Sequence, residues 1–356
     1  MRILFLSEGL DRPEAHSIAG LQQAGLEVYA MLPPDEPFAP FLGEQGVTTI
    51  PLQLRGRFDP VAIRAIRGAV KETGCNVVHA LRNNRPVANA LFAVRGLPVK
   101  LVCYRGTMGN LHRWDPGSRL TYLSGRLDRI VCVSNAVRAY LEELRIPPNK
   151  LVTIYKGHDP AWYQQAGKAD LTTFGVPPGS LVAGCAANMR PLKGADVLVR
   201  ALEHIEEETR VHILLIGEVR DPSLGALIRE ARFRNRVTSL GYRTNATALL
   251  GACDIAVMPS LRREGLPRAI IEAMAQSLPC VVTRVGGMPE LVVDGENGYV
   301  VEPGDPAALA GAILTLAADT ALRRSLGARS LERVRKQFSV ESTIAATHRM
   351  YEELPS

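Results

Sequence analysis

The chain has 356 residues, of which 46% are hydrophobic and 22% are charged. That length is too great for one ordinary hydrophobic core and favours two domains of comparable size, while the composition is globular and excludes a disordered or fibrous protein. No apolar run approaches the roughly 18 residues needed to span a bilayer, and residues 1–7 enter a strand-like pattern instead of a signal peptide. We therefore expect a cytoplasmic protein.

The formal net charge of +6 is confined to the first half of the chain. Residues 1–160 contain 20 lysines and arginines against 14 acidic residues, whereas residues 161–356 contain 22 of each. This asymmetry indicates an anionic partner for the N-terminal half, such as a membrane surface or a phosphorylated acceptor, although a solvated arginine-rich face explains it equally well. Nucleic acid is not expected, because no aromatic stacking platform or recognition motif accompanies the charge.

Short β-branched runs alternate with helical stretches in the N-terminal half, which is the βαβ pattern of a parallel sheet covered on both faces. The predicted strands are 2–7, 27–31, 47–52, 77–80, 100–104, 129–134 and 151–156, and the predicted helices are 16–24, 60–73, 85–94 and 136–144.

The predicted helix 60–73 combines a basic row with an apolar stripe. The row is Arg64, Arg67 and Lys71, and the stripe is Val61, Ile63, Ile66 and Val70. Such a helix can lie on an anionic membrane. The favoured interpretation is a core-facing helix with a solvated basic side.

A break in periodicity from residue 156 to residue 179 predicts a hinge, after which a second βα series begins. Its predicted strands are 181–186, 211–216, 237–240, 255–259, 280–283 and 298–301, and its predicted helices are 195–206, 223–232, 244–251, 267–276, 306–318 and 321–337. A last helix is predicted over 340–354. In two doubly wound domains, ligands bind at the carboxyl ends of the strands, so the site is expected in a cleft between two such edges.

Two glutamates eight residues apart form the most informative pattern. Pro267 is typical of a first helical turn, which predicts Glu264 in the preceding loop and Glu272 inside the helix. Free N–H groups around Gly265 and Leu266, with the positive end of the helix dipole, form an anion site suited to a diphosphate. The carboxylates then accept hydrogen bonds from sugar and ribose hydroxyls. The alternative is an ordinary helix surface, but the apolar neighbours of Glu272 favour a ligand.

Arg190 and Lys193 follow the predicted strand 181–186. Two cations at the carboxyl end of a strand can clamp a diphosphate and neutralise the charge that grows on a leaving group. Alone, this spacing is more typical of a solvated loop. Its position, one βα unit after the predicted hinge, favours the binding role.

The ordered motifs of residues 150–340 resemble those of the family 4 glycosyltransferases. They are Arg190-x-x-Lys193-Gly194, Gly217, Leu240-Gly241, Met258-Pro259-Ser260, the Glu264/Glu272 pair, the run 286–290 and the run 294–298, with weaker matches at 128–134 and 157–159. This resemblance implies an α/β protein of the GT-B fold, with two facing Rossmann-like doubly wound domains and a C-terminal helix that crosses back to the N-terminal domain. It implies an acceptor-binding domain over 1–158, completed by 340–356, and a donor-binding domain over 159–339.

The resemblance also implies roles for individual residues. Arg190 and Lys193 bind the donor diphosphate, Glu264 contacts the transferred sugar and Glu272 the ribose, while the backbone near Tyr242 meets the base. The implied reaction is transfer with retention at the anomeric carbon.

Two positions depart from the pattern of the family. Relatives often have a diglycine loop after the first strand, whereas this chain has Gly9 alone, which either approaches a phosphate or is a simple turn glycine. Relatives often have a functional histidine after the strand 100–104, whereas this chain has Arg105. A guanidinium cannot act as a base at neutral pH, but it can fix an anionic acceptor or a donor phosphate.

Two histidines are further candidates for the cleft. His79 ends a predicted strand and His16 starts a predicted helix at the expected cleft edge. For each, a hydrogen-bonded structural histidine is the favoured alternative. No group of His, Asp and Glu has metal-ligand spacing and the six cysteines form no CxxC pair, so we predict no metal and no cofactor, with Arg190 and Lys193 replacing a metal.

These observations predict a metal-independent, retaining hexosyltransferase that uses a nucleotide diphosphate sugar and a glycan or lipid-linked acceptor, which can be anionic. Its basic N-terminal domain would contact the inner face of a membrane. Two alternatives stay open. One is an epimerase or phosphorylase on the same fold, and the other is a nucleotide-sugar-binding protein that has lost catalysis, for which Arg105 is the main hint.

Overall fold

A computed structural model describes residues 1–82, 84–164 and 169–354. The chain divides into two compact units, which we call the first unit (Met1–Gly157 with Ser339–Ser356) and the second unit (His158–Phe338). Residues 165–168 of the predicted hinge lie outside the described residues. Within the described part of the chain, no helix is long and apolar enough to cross a bilayer.

The first unit is built on a seven-stranded parallel sheet with the order β3-β2-β1-β4-β5-β6-β7. Its strands are β1 (Arg2–Leu6), β2 (Glu27–Leu32), β3 (Thr48–Pro51), β4 (Val77–Ala80), β5 (Lys100–Arg105), β6 (Arg129–Cys132) and β7 (Leu151–Thr153). Its helices include α1 (Arg12–Gln23), α2 (Ala39–Glu44), α3 (Pro60–Thr73), α4 (Asn84–Ala93), α5 (Pro116–Arg119) and α6 (Asn135–Glu143).

Helix α1 begins four residues earlier than predicted, because a capping box fixes its start. The Asp11 carboxylate accepts the N–H of Glu14, and the Glu14 carboxylate accepts the N–H of Asp11. The prediction that His16 starts this helix is therefore wrong. His16 lies in the second turn, where its ring packs against Phe41 at 4.7 Å.

Helix α3 packs against the core of the first unit, as predicted by the favoured interpretation of a core-facing helix. Ile66 and Val70 are buried, whereas Val61 in the first turn is 70% exposed, so the predicted stripe faces the core only from the second turn onward. Arg67 donates hydrogen bonds of 2.8 Å to the backbone carbonyls of Ala93 and Arg95, so this part of the basic row fastens α3 to the end of α4.

The second unit is built on a six-stranded parallel sheet with the order β10-β9-β8-β11-β12-β13. The strands are β8 (Leu181–Ala186), β9 (Val211–Ile216), β10 (Val237–Ser239), β11 (Ile255–Met258), β12 (Cys280–Thr283) and β13 (Gly298–Val301). The helices include α7 (Ala161–Gln164), α8 (Ala195–Ala201), α9 (Pro222–Ile228), α10 (Ala246–Gly251), α11 (Arg268–Ala275), α12 (Met288–Leu291), α13 (Pro306–Ala318) and α14 (Thr320–Gln337).

The last helix, α15 (Val340–Glu352), belongs to the first unit, as predicted. A Cβ on Gly20 of α1 would lie 2.1 Å from the Ile344 side chain, so the missing side chain allows close packing of the two helices. The Thr343 hydroxyl donates a hydrogen bond of 2.7 Å to the carbonyl of Tyr155.

Each unit has its own apolar core of the type that parallel sheets require, with strands buried on both faces. Every residue of β9 is buried. The six cysteines are free thiols in buried positions, which confirms that they are core residues.

Candidate functional site

The candidate site residues of the second unit lie in loops at one edge of its sheet. Because all six strands run in parallel, the segments that follow β8, β9, β10, β11 and β12 leave from the same edge. These segments contain the predicted residues Arg190, Lys193, Tyr242, Glu264, Gly265, Leu266 and Glu272.

Lys193 and Glu264, which are 71 residues apart in the chain, form an ion pair at this edge. The ammonium contacts both carboxylate oxygens, and its distance to Oε2 is 2.9 Å. The side chains are 16% and 7% exposed, so the pair is largely shielded from water. The Ser260 hydroxyl is a weak third partner, at 3.5 Å from Oε1.

Close backbone contacts hold Lys193 beside the end of β11. Gly194 has a positive φ of 66°, and a Cβ there would lie 2.1 Å from the carbonyl oxygen of Pro259. The Leu261 N–H donates a hydrogen bond of 2.9 Å to the carbonyl of Leu192. The segments that carry Lys193 and Glu264 are therefore fixed to each other through the main chain.

A second glycine supports Glu264 from the side of β12. Gly286 has a positive φ of 57°, and a Cβ there would lie only 1.7 Å from the carbonyl oxygen of Glu264. The neighbouring Gly287 N–H donates to the carbonyls of Glu264 and Gly265, at 3.3 and 3.0 Å. The family motif 286–290 thus positions the backbone that carries the acidic side chain.

The start of α11 leaves backbone donors available. The helix begins at Arg268 with Pro267 as its N-cap, one position later than predicted. Among the described residues, the N–H groups of Gly265 and Leu266 donate no hydrogen bond. Together with the positive end of the helix dipole, they can bind an anion.

Glu272 is not the isolated charge that its apolar neighbours suggest. Its carboxylate lies 3.0 Å from the Arg268 guanidinium, one turn earlier in the helix, and accepts a hydrogen bond of 2.7 Å from the Thr247 hydroxyl of α10. The side chain is 12% exposed, compared with 59% for Arg268. The α10–α11 contact therefore orients this carboxylate.

Arg190 and Tyr242 are the exposed members of the set, and Tyr242 is 75% exposed. The loops that carry them meet at Gly217, whose N–H donates to the carbonyl of Gly241 at 2.8 Å. A Cβ on Gly217 would lie 1.9 Å from the carbonyl of Ala187, so this position requires glycine. The segments with Arg190 and Tyr242 thus converge at the ends of β9 and β10.

Gly9, in the first unit, has a φ of 138°, and its loop is held by a carboxylate. The buried Glu36 side chain accepts the N–H of Leu10 at 2.9 Å and would lie 3.6 Å from a Cβ on Gly9. A carboxylate is an unfavourable neighbour for a phosphate, although the predicted role of Gly9 stays a prediction.

Four charged side chains form a closed network after β1, β4 and β7, and the sequence analysis missed it. The Lys156 ammonium lies 2.8 Å from carboxylate oxygens of both Asp11 and Glu14. The Arg82 guanidinium lies 2.8 Å from Glu14 and 3.4 Å from Asp11. Burial raises the pKa of Asp11, but Lys156 and Arg82 outweigh burial and leave that pKa below its usual value. The ring of Tyr104 lies 5.6 Å from the ammonium.

Arg105 binds its own loop. Its guanidinium donates to the carbonyls of Thr107 and Gly109, at 2.9 and 2.7 Å, and lies 4.7 Å from the centre of the Tyr122 ring. The side chain is buried. These contacts shape the loop after β5, and a role of Arg105 toward an anion stays a prediction.

His79 has the environment of a structural histidine. It is buried, and its Nδ1 shares a hydrogen bond of 2.6 Å with the Tyr351 hydroxyl of α15. Burial lowers its pKa to about 3, so the ring is neutral at physiological pH. Its Nε2 has no partner among the described residues.

Two protein-family models match the chain, one in each half. Residues 16–162 match the model described as Glycosyltransferase Family 4, and residues 180–319 match the model described as Glycosyl transferases group 1. The chain belongs to the family 4 glycosyltransferases. The resemblance that the motifs indicated is thereby confirmed.

Curated relatives of this family 4 member carry names of sugar-transfer enzymes. An N-acetyl-alpha-D-glucosaminyl L-malate synthase of Bacillus anthracis is 29% identical over 226 residues, which cover 63% of this chain and 59% of that protein. The chain thus spans about three fifths of the length of that relative. A lipopolysaccharide core biosynthesis mannosyltransferase, LpcC of Rhizobium leguminosarum bv. viciae, is 29% identical over 310 residues, or 85% of this chain and 82% of that protein.

A solved structure supports the same fold for this family 4 member. HepE of Anabaena, crystallised in complex with UDP, superposes with a TM-score of 0.81 over 99% of this chain and 100% of that chain, at 22% sequence identity. This likeness confirms the predicted GT-B fold with two Rossmann-like domains.

Proposed function

We propose that this protein transfers a hexose-type sugar from a nucleotide diphosphate sugar to a hydroxyl of a glycan or lipid-linked acceptor, with retention of anomeric configuration and without a metal. The observation that carries the proposal is the shielded Lys193–Glu264 pair beside the free N–H groups of Gly265 and Leu266. One small region thus offers a cation and backbone donors for a diphosphate, and a carboxylate for sugar hydroxyls.

In this proposal, donor binding separates the Lys193–Glu264 ion pair and gives each residue a new partner. The diphosphate attracts the Lys193 ammonium, assisted by the exposed Arg190. Glu264 then accepts hydrogen bonds from hydroxyls of the transferred sugar. Glu272, oriented by Thr247, accepts those of the ribose, and the base lies along the backbone near Tyr242.

The transfer step breaks the bond between the anomeric carbon and the β-phosphate oxygen and forms a bond from that carbon to the acceptor oxygen. The acceptor proton passes to the departing phosphate on the same face of the sugar, which accounts for retention. Lys193 and Arg190 stabilise the negative charge that grows on the phosphate, and this electrostatic contribution replaces a metal.

Two similar proteins support the choice of donor and acceptor. HepE structures were determined with UDP, with UDP and glucose, and with UDP-glucose. LpcC is named for mannose transfer in lipopolysaccharide core biosynthesis. We propose by analogy that this chain takes part in building a cell-envelope glycan in the cytoplasm, at the inner face of the membrane.

The test compares Lys193→Met and Glu264→Gln with Lys336→Met and Glu332→Gln. The control residues form an exposed ion pair in α14 of the same unit, so they match the chemistry of the change but belong to none of the site loops. Transfer and donor hydrolysis are measured with a panel of nucleotide sugars and acceptors, and nucleotide binding by calorimetry.

We expect a loss of transfer of about 100-fold or more for the site variants and wild-type rates for the α14 variants. Wild-type-like rates in the site variants would refute the assignment of the site. Conversion of the donor without an acceptor would instead indicate an epimerase or phosphorylase. Tight donor binding without turnover would indicate a binding protein.

A further inference from the structure

Exposed large hydrophobic side chains are concentrated in one part of the first unit. Apart from Met1 at the chain end, they are Phe58, Val61, Phe92, Trp114 and Leu120, and Trp114 is 77% exposed. Among the described residues of the second unit, by contrast, Tyr242 is the one large hydrophobic side chain of this kind. Single exposed hydrophobic residues are normal on protein surfaces, but a group of them marks an interaction surface.

Contacts connect the segments that carry these side chains. The rings of Phe58 and Phe92 pack edge to face, with centroids 5.3 Å apart. A Cβ on Gly117 of α5 would lie 3.1 Å from the Arg57 guanidinium, which brings the loop before α3 next to the 112–120 segment. We call the five hydrophobic residues, with Arg57, Arg113 and Arg119, the aromatic–arginine patch.

The patch has a net positive charge, because its three arginines outnumber the two neighbouring carboxylates, Asp59 and Asp115, which face the backbone. Asp59 caps α3 and accepts hydrogen bonds from the N–H groups of Val61 and Ala62. Asp115 caps α5 and accepts the N–H groups of Gly117 and Ser118 together with the Ser118 hydroxyl. The three arginines of the patch are exposed.

A basic hollow adjoins the patch. Its volume is about 260 Å³ and its charged lining consists of Arg113, Arg119, Arg145 and Lys150, without an acidic side chain. Two of these arginines also belong to the patch. The hollow therefore offers positive charge for a phosphate group immediately beside the exposed Trp114.

We propose that the aromatic–arginine patch lies against a bilayer that contains anionic phospholipids. Trp114, Phe58 and Leu120 enter the interfacial region, the arginines contact the headgroups, and one headgroup phosphate occupies the basic hollow. Aromatic side chains flanked by basic ones are favoured at this depth of a membrane, and anionic lipids attract arginines near the surface. The contact includes only the start of α3, through Val61, because Ile66 and Val70 farther along this helix are buried.

This inference does not depend on the proposed reaction, because lipid binding is measured without donor or acceptor. The whole 356-residue chain is sedimented with vesicles of phosphatidylcholine alone and of phosphatidylcholine mixed with phosphatidylglycerol. One variant carries Phe58→Ser, Trp114→Ser and Leu120→Ser, and another carries Arg57→Gln, Arg113→Gln and Arg119→Gln. The matched controls are Tyr242→Ser and a triple change of exposed second-unit arginines, Arg220→Gln, Arg232→Gln and Arg284→Gln.

Binding is expected for the anionic vesicles and to weaken as salt is raised. Each arginine near the surface contributes about fivefold to the partition coefficient, so the arginine variant should bind at least tenfold more weakly. The hydrophobic variant should lose a similar factor, and both controls should bind like wild type. Equal binding of all variants, equal binding to neutral vesicles, or binding to single-stranded nucleic acid but not to vesicles would overturn the proposal.

A fluorescence measurement avoids dependence on the folding of the triple variants. The chain contains two tryptophans, so Trp162→Phe leaves Trp114 as the single indole reporter. Anionic vesicles should shift its emission to shorter wavelength, and brominated lipids should quench it. An unchanged emission spectrum in the presence of anionic vesicles would contradict insertion of Trp114.

Discussion

The two sheet edges use buried charge in different ways. In the first unit, Asp11, Glu14, Arg82 and Lys156 form a closed network in which each charge has two partners of opposite sign. Among the described residues of the second unit, Lys193 and Glu264 have no charged partner besides each other, and N–H groups without a hydrogen bond lie nearby.

This difference separates a structural arrangement of charges from an exchangeable one. A closed network is neutral without a ligand, and an entering phosphate would have to break several contacts at once. A single pair needs only one exchange, in which the cation turns to the phosphate and the carboxylate turns to hydroxyls. The comparison therefore favours the second unit as the donor site and gives the first-unit network a role in stability.

The largest effect is expected from Gly286→Ala, which should displace the backbone of Glu264 at the sheet edge of the second unit. A Cβ would lie 1.7 Å from the carbonyl oxygen of Glu264, so the backbone that carries the carboxylate must move. We expect transfer to fall by about 100-fold while the circular dichroism spectrum stays that of wild type. Gly295→Ala is the control, because Gly295 has a similar positive φ but nothing within 4 Å of its Cβ position. Equal losses in both variants would mean that backbone strain alone, and not Glu264, explains the effect.

The next effect tests the closed network of the first unit. Lys156→Met leaves two buried carboxylates with one cation, and we expect the free energy of unfolding to fall by about 2–3 kcal/mol at pH 7. The pKa of Asp11 is lowered in the folded state, so its stabilising contribution is present above the ordinary aspartate pKa and is lost as pH falls through the lowered value. The difference between variant and wild type should accordingly shrink in acid, as measured by urea titrations at several pH values. A loss that stays constant with pH would assign the effect to packing.

The next effect is absent at pH 7 and concerns the acid sensitivity of the first unit. The pKa of His79 is about 3 in the folded protein, against 6.5 for the free side chain. The unfolded chain therefore binds the proton first, and stability falls as pH drops from about 6.5 to about 3, by about 1 kcal/mol per pH unit. His79→Gln should remove this slope from the unfolding free energy. His212→Gln provides the comparison in the second unit, where burial lowers the pKa to about 4. An unchanged slope in His79→Gln would mean that His79 is protonated in the folded state.

The smallest effect tests how Glu272 is oriented. Thr247→Val keeps the shape of the side chain but removes the hydroxyl that donates to Glu272 at 2.7 Å. One such hydrogen bond contributes about 1 kcal/mol, so the KM for the donor should rise about fivefold with kcat nearly unchanged. Thr315→Val is a suitable control, because its hydroxyl donates to the Gly311 carbonyl in the exposed part of α13. A fall in kcat without a change in KM would place Glu272 in the chemical step instead of ribose binding.

Much of the fold follows from local pattern. The strands β8, β9, β12 and β13 have the predicted limits, because short β-branched runs between turns are strong signals. The predicted helix 195–206 ends at Ala201, where the chain tightens into a 3₁₀ turn and Ile205 takes an extended backbone to reach the core. Helices α2, α5, α7 and α12 have six residues or fewer, too few for a periodic pattern.

The candidate site was predictable only in part. The residue types of Lys193 and Glu264 indicated the chemistry, but their direct contact depends on the placement of β8 beside β11. The Arg268–Glu272 ion pair could be predicted from the sequence, since the two residues have helical i, i+4 spacing. The charged network of the first unit could not be predicted, because Lys156 is more than 140 residues from Asp11 and Glu14 in the chain.

The position of α15 has a consequence for biosynthesis. This helix fills the space beside Gly20 of α1, and its Tyr351 is the hydrogen-bond partner of His79. A ribosome delivers it only after the whole second unit has been made. The apolar face of α1 therefore stays uncovered until residues 340–352 have been synthesised, and the unit that is begun first is completed after the second unit.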